Sequence, residues 1–386
     1  MIKRILSISL ALSLFIFSSI SVFATEEVET GVNITEIPAK SAILMDASSG
    51  RVLFEKDADE PMAPASITKI MTLLLVFEAL DSGELSYTDM ITCSENASSM
   101  GGSQIWLEVG EEMSAEDLIK ATAINSANDA SMALAEHIGG SEEAFVDMMN
   151  QKAKSLGMKN TTFINPTGLD ASGHLSTARD IAIMSRELLK HKDIKKFSTI
   201  WMDTLRNGET GLTNTNKLVR FYEGCTGLKT GTTDDAGSCL SASAERKGLS
   251  LIAVSMGSAT SDERFLSCKT LLNYGFSAFE LFTPEVLPEE INPIAVLKGT
   301  DTQVNLKIEK ASAVLIPKGR SAEIKKEITL PADITAPVLE NQVLGEAIFT
   351  LDGEEIFKMP ITAEKEVQKM TFFNAFKILL KNLLAF

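Results

Sequence analysis

The chain has 386 residues, and 36 Lys and Arg against 52 Asp and Glu give it a formal net charge of −16. That anionic excess excludes a nucleic-acid binder, whose phosphate contacts need clustered cations. Four cysteines, Cys93, Cys225, Cys239 and Cys268, form no CxxC pair and have no histidine cluster nearby, which argues against a zinc site and leaves their pairing open.

Lys3 and Arg4 precede an apolar run from Ile5 to Phe23, interrupted only by serines and ending at Ala24 before Thr25-Glu26-Glu27. This predicts a secretory signal peptide over residues 1–24; the apolar part is short for a membrane span. Its removal makes the chain more acidic by two charges. About 360 residues remain, more than one ordinary core, so a large domain and a smaller one are expected.

Ala42-Ile43-Leu44-Met45 and Arg51-Val52-Leu53-Phe54 flank a turn-forming Asp46-Ala47-Ser48-Ser49-Gly50 and predict a hairpin. Beyond Pro61 and Pro64, apolar residues at helical spacing predict a helix over 67–80 that closes at Gly83. Ser114 and Asp117 have capping-box spacing and open a helix to about 124. A second helix is expected over about 129–138, a third over 142–156 with Gly157 as its C-cap, and a fourth from Thr177 and Asp180 to His191. Strands return over 228–230, 238–242 and 249–256, followed by an apolar helix over about 265–279. Strand, helices and strands again imply a sheet domain with a helical insertion.

After Pro284 come short alternations such as Val304-Asn305-Leu306-Lys307-Ile308, punctuated by Pro293, Pro317, Pro331 and Pro337; these predict a small β domain to about Lys365. From 366 to 386 the chain is amphipathic. Phe372, Phe373, Phe376, Leu379, Leu380, Leu383 and Leu384 cluster away from Asn374, Lys377 and Lys381. A helix lying in a membrane interface is the expectation, with packing against the β domain as the alternative.

Three short motifs carry chemistry. Ser66-Ile67-Thr68-Lys69 is the one place where a serine stands three residues before a lysine, a helical spacing that lets an amine take the hydroxyl proton. Backbone N–H groups at a helix start favour developing negative charge there. Lys229-Thr230-Gly231, followed by Thr232, sets a cation, hydroxyls and a bare backbone on one strand, which suits an extended peptide with a free carboxylate. Ser-x-Asn occurs as Ser94-Glu95-Asn96 and Ser126-Ala127-Asn128. The second is preferred, because it falls at a joint between two predicted helices, whereas Ser94 lies in a polar loop or cap.

In this order the motifs resemble those of penicillin-binding proteins and serine β-lactamases. Within that superfamily the chain is most similar to the low-molecular-weight D-alanyl-D-alanine carboxypeptidases, also in Phe163-Ile164-Asn165-Pro166-Thr167-Gly168-Leu169, Ser176-Thr177-Ala178-Arg179-Asp180 and Asn214-Thr215-Asn216-Lys217-Leu218. The resemblance covers about 37–282. It implies an α/β (α+β) fold of β-lactamase/transpeptidase type over 25–283, an antiparallel sheet flanked by helices with a helical insertion. A small C-terminal β-sandwich domain over 284–365 and an anchoring helix over 366–386 follow.

The resemblance further implies that Ser66 is acylated by a peptidoglycan stem peptide ending in two D-alanines, with no cofactor or metal, and that β-lactams are covalent inhibitors. Lys69 is the implied base and must be neutral to act. Ser126 relays a proton to the leaving amine; Asn128 holds the substrate amide and steadies Lys69. Lys229 and Thr230 bind the terminal carboxylate beside Gly231, and the N–H groups of Ser66 and Thr232 form the oxyanion hole. Some family members carry histidine where this chain has Thr232. His137, His174 and His191 form no triad with Ser66, and His174 reads as structural. The implied location is the outer face of the bacterial cytoplasmic membrane. A β-lactamase is the nearest rival, disfavoured by Ala127 in the middle motif and by the lack of a Glu-x-x-Leu-Asn sequence. A catalytically inactive wall-peptide binder is the second, disfavoured by the complete motifs.

Overall fold

The computed structural model describes residue 34 and residues 36–384; the signal peptide expected over 1–24 lies outside the described residues. Five strands form one antiparallel sheet in the spatial order Val52–Lys56, Ser41–Asp46, Leu249–Ser258, Gly237–Arg246, Cys225–Thr233. Side chains alternate across a sheet, and here both faces are covered. Ile43, Met45, Ile252 and Val254 face the helical insertion, while Leu44, Leu251 and Ala253 face the helix Ser261–Ala278. Two-sided burial is why Ala42-Ile43-Leu44-Met45 reads as a continuous apolar run in place of an alternation.

The insertion holds the helices Asn128–Gly139, Glu142–Ser155 and Ala178–Lys190 around a central helix, Lys69–Ser82. That central helix is apolar on nearly every side and buries Ile70, Met71, Leu74 and Phe77. Its C-terminus is closed by Gly83 at φ 78°. Ser114 caps its helix as expected, by accepting from Asp117 N, but Asp117 turns its carboxylate to Lys120 and so completes no box.

The strand Phe279–Phe282 pairs with Val314–Pro317 and links the first domain to the second. The second holds a three-stranded and a four-stranded sheet, whose cores share Leu306 and Leu330. Pairing continues past Lys365, because Val367 bridges Val338 and Lys369 bridges Gly299. The C-terminal helix therefore begins at Phe372, later than the amphipathic pattern suggests, and runs to Leu384. Phe372, Phe373, Phe376, Leu379 and Leu380 are exposed on it. The side chains of Lys377, Lys381, Leu383 and Leu384 are outside those described.

Because the central helix is the scaffold for Lys69, its packing supports both stability and geometry. Leu74→Ala should lower the unfolding free energy by about 2–5 kcal/mol through lost burial and a cavity, read from the shift in the urea midpoint. A loss under about 1 kcal/mol would mean that the helix is not centrally packed.

Candidate active site

The nucleophile turn is built from strained backbone and two glycines. Ala65 takes φ 49°, uncommon for a residue with a Cβ, and Ala65–Thr68 forms a 3-10 turn ahead of the helix Lys69–Ser82. The single helix expected over 67–80 is thus divided, with Ser66 in the turn. Gly168 presses on this turn so closely that a Cβ there would stand 1.9 Å from Ala65 O. From the other side, a Cβ on Gly231 would stand 2.9 Å from Pro64 O and 3.1 Å from Ile67 N. Side chains at either position would displace Ser66.

Lys69 is fully buried, and its Nζ lies 3.2 Å from Ser66 Oγ, 2.5 Å from Asn128 Oδ1 and 2.6 Å from Thr167 O. Burial holds the amine well below its ordinary pKa, the Lys229 cation pushes the same way, and Asp129 opposes them. A neutral amine has two N–H donors and one lone pair. Asn128 Oδ1 and Thr167 O, the nearer acceptors, take the two donors, which leaves the lone pair for the Ser66 proton.

Ser126 and Asn128 sit at a break between helices. The π-helical turn Ala121–Asn125 ends at Ser126 with φ 62°, and Asn128 begins the next helix. Asn128 Nδ2 donates to Gly101 O at 2.6 Å, which fixes its Oδ1 toward Lys69. The Ser126 hydroxyl, almost fully buried, makes no hydrogen bond among the described residues and is free for a substrate. The next residue, Asp129, is buried, and its carboxylate accepts the N–H groups of Ile105, Leu107 and Ala130. It ties the segment 101–107 to the site. Ser94 instead caps the short helix Glu95–Ser98 and donates to Glu136.

The third motif lies on the strand Cys225–Thr233. Lys229 is buried; burial and the nearby Arg264 cation pull its pKa down to about 7, and its Nζ donates to Thr230 O. Thr230 Oγ1 donates to Thr215 Oγ1 at 2.7 Å. Arg264 Nη1 donates to Gly231 O at 2.9 Å and to Thr232 Oγ1 at 2.6 Å, while its buried Nε has no partner. The arrangement is an activated serine, a desolvated amine and a cationic strand with exposed Thr232 beside it, which is the equipment of acyl transfer at a carboxylate-terminated substrate.

Four contributors escaped the sequence reading. Thr215 and the Thr167 carbonyl fall in stretches already singled out, and Asp129 directly follows Asn128, so position was their only signal. Arg264 had none; the capping box of Thr260 and Glu263 starts its helix and thereby aims it at the strand. His174 is structural: it is buried, accepts from Ile164 N at Nδ1 and pairs through Nε2 with Thr68 Oγ1 at 2.8 Å, and burial lowers its pKa to about 4. All four cysteines are free thiols.

Residues 26–260 match the family D-alanyl-D-alanine carboxypeptidase, and residues 279–369 match the penicillin-binding protein 5 C-terminal domain. The chain is 42% identical over 381 residues to the D-alanyl-D-alanine carboxypeptidase DacF of Bacillus subtilis (strain 168), covering 97% of each. It is 34% identical to DacA of Escherichia coli (strain K12), covering 88% of this chain and 86% of that one. Penicillin-binding protein 5 from Haemophilus influenzae superimposes with a TM-score of 0.73 at 34% identity, over 86% of this chain and 98% of that one. Penicillin-binding protein D2 from Listeria monocytogenes, solved in an ampicillin-bound form, superimposes at 0.58 and 33% identity over 63% of this chain and 99% of its own. Matched along both domains and carrying a serine and a buried amine in contact, the chain belongs to the D-alanyl-D-alanine carboxypeptidase family and is a serine-type carboxypeptidase.

Proposed function

We propose that Ser66 removes the terminal D-alanine of peptidoglycan stem peptides through an acyl-enzyme, with Lys69 as its base. The observation that carries this reading is the 3.2 Å contact of Ser66 Oγ with an amine desolvated by complete burial. Ser66 Oγ attacks the carbonyl between the two D-alanines, and its proton passes to Lys69 Nζ. The oxyanion is held by the N–H groups of Ser66 and Thr232. Collapse of the tetrahedral intermediate breaks the C–N bond, and the proton held by Lys69 is relayed to the departing amine through the Ser126 hydroxyl, which gives one proton and takes up another. Water then hydrolyses the ester and restores Ser66. Asn128 holds the substrate amide, Lys229 and Thr230 bind the terminal carboxylate, and Gly231 keeps the strand close to the turn. A penicillin presents a carboxylate and a strained amide to the same groups and leaves Ser66 acylated.

We also propose export through residues 1–24 and anchoring of the C-terminal helix in the outer interface of the cytoplasmic membrane. Its support is the row of exposed Phe372, Phe373, Phe376 and Leu379. Among the described residues no helix is long and apolar enough to cross a membrane, so the helix would lie along the surface.

Ser66→Ala should lose both covalent labelling by penicillin and D-alanine release, with turnover down at least about a thousandfold. Labelling without peptide turnover, and rapid penicillin hydrolysis, would favour a β-lactamase. The rate should be bell-shaped in pH: it rises as Lys69 loses its proton and falls as Lys229 loses the charge that holds the carboxylate. The alkaline limb of kcat/KM should lie near 7, and that of kcat should lie higher, because bound carboxylate stabilises the Lys229 cation. Identical alkaline limbs in the two profiles would remove Lys229 from carboxylate binding. Full-length protein should sediment with anionic phospholipid vesicles and a chain ending at residue 371 should not; equal sedimentation would refute the anchor.

A further inference from the structure

Thr167 O, one of the two acceptors that orient Lys69, belongs to a loop over 162–175 that Thr162 and Leu175 close by bridging at its base. Asn150 exchanges two hydrogen bonds with Phe163 on the entering arm. At the tip, Asn165 Oδ1 accepts from Thr167 N and Gly168 N, and Pro166 O accepts from Thr72 Oγ1 at 2.6 Å. The returning arm has a single side-chain hydrogen bond to the nucleophile turn among the described residues, between His174 Nε2 and Thr68 Oγ1. Thr68 stands between Ser66 and Lys69 and is fully buried.

The two ring nitrogens have fixed and opposite roles. Nδ1 accepts the Ile164 N–H at 3.3 Å, and burial keeps the ring neutral by lowering its pKa to about 4 against the opposing effect of Asp170. The one ring proton is therefore on Nε2, which donates to Thr68 Oγ1 at 2.8 Å. Phe163 meets the ring edge to face at 5.8 Å and holds its plane. His174 also lines a cavity of about 690 Å³ that separates the turn from the returning arm, with Pro64 and Ala65 on one side and Gly168, Leu169 and Leu175 on the other.

We propose that His174 is a positioning residue for the acylation of Ser66: by bonding Thr68 it shuts the seam between that cavity and Lys69, keeping water from the amine and Thr167 O against it. The inference rests on the reading of Lys69 as the base. His174 touches no reacting atom, and its effect needs a donor at one end of the side chain and an acceptor at the other. Opening the seam hydrates Lys69, and because burial is the largest influence on that amine, its pKa rises toward the ordinary lysine value. More of the base is then protonated at neutral pH, and Ser66 is acylated more slowly. Lys229 on the strand Cys225–Thr233 and Asp129 on the helix Asn128–Gly139 also act on Lys69, and both stay in place when His174 is replaced.

The test follows kcat/KM for a peptide ending in D-alanyl-D-alanine, and the rate constant for covalent labelling by penicillin, against pH in the full-length wild-type, His174→Leu, His174→Gln and Thr68→Val proteins. Leucine has neither donor nor acceptor, whereas the glutamine carboxamide supplies both. His174→Leu should lower both rates at neutral pH by about ten- to a hundredfold and move the ascending limb to higher pH by about one pH unit, with the descending limb left in place. His174→Gln should bring the limb back and the rates to within about threefold of wild type. Thr68→Val breaks the same bond with the ring retained, so it shifts the limb in the same direction even where His174→Leu does not fold. A fall in rate with the ascending limb unmoved in Thr68→Val, or a glutamine variant no better than the leucine one, overturns the proposal. A wild-type protein that releases no D-alanine overturns the carboxypeptidase reading instead, and one whose rate has no ascending limb removes Lys69 as the base, so the failures are distinct.

Discussion

A primary amine held out of water beside a serine hydroxyl is the constraint on which the rest of the catalytic domain depends. An ammonium ion at Lys69 would be fully buried with two neutral oxygens, a hydroxyl and another cation for neighbours, an arrangement that low polarity strongly disfavours. The neutral amine satisfies the same neighbours with two donors and one lone pair. Every large feature nearby maintains that condition. The apolar central helix excludes water, Asn128 and Thr167 set the direction of the two donors, and Lys229 adds unfavourable charge to the protonated form.

A series of cations extends from that centre. Arg264 lowers the pKa of Lys229, and Lys229 lowers that of Lys69. Each is buried, so the repulsion is poorly screened. Asp129 provides the counterweight from beneath Asn128, while its oxygens are occupied by backbone N–H groups. In consequence one strand carries Lys229, lowers the pKa of the Lys69 amine and is itself held in place from outside. Arg264 does the holding, because it bonds both Gly231 O and the Thr232 side chain.

Much of the fold was legible in the chain because burial in it follows local periodicity. The hairpin at the start of the sheet, the insertion helices and the return of strands after residue 225 all came from apolar spacing and capping residues. Where expectations slipped, a tertiary contact decided the outcome. The helix over 67–80 gave up its first turn because Ala65 is pressed between Gly168 and Gly231. The C-terminal helix began late because Val367 and Lys369 pair with the β domain.

Of the site, the sequence by itself determined the residue types and their order: a serine one helical step from a lysine, a Ser-x-Asn at a helix joint, and a Lys-Thr-Gly on a strand. Side-chain chemistry and local spacing are written in the chain, and resemblance could be read from them. Only the tertiary structure decided that Lys69 meets Asn128 and the Thr167 carbonyl, residues 59 and 98 positions away. Arg264 came to the Lys-Thr-Gly strand from 33 positions beyond Gly231 in the same way. An amine's protonation depends on how much water and charge surround it, and those surroundings are assembled from segments that share no local pattern. For that reason Lys69 could be named as a base from the sequence, while its desolvation had to be seen in the fold.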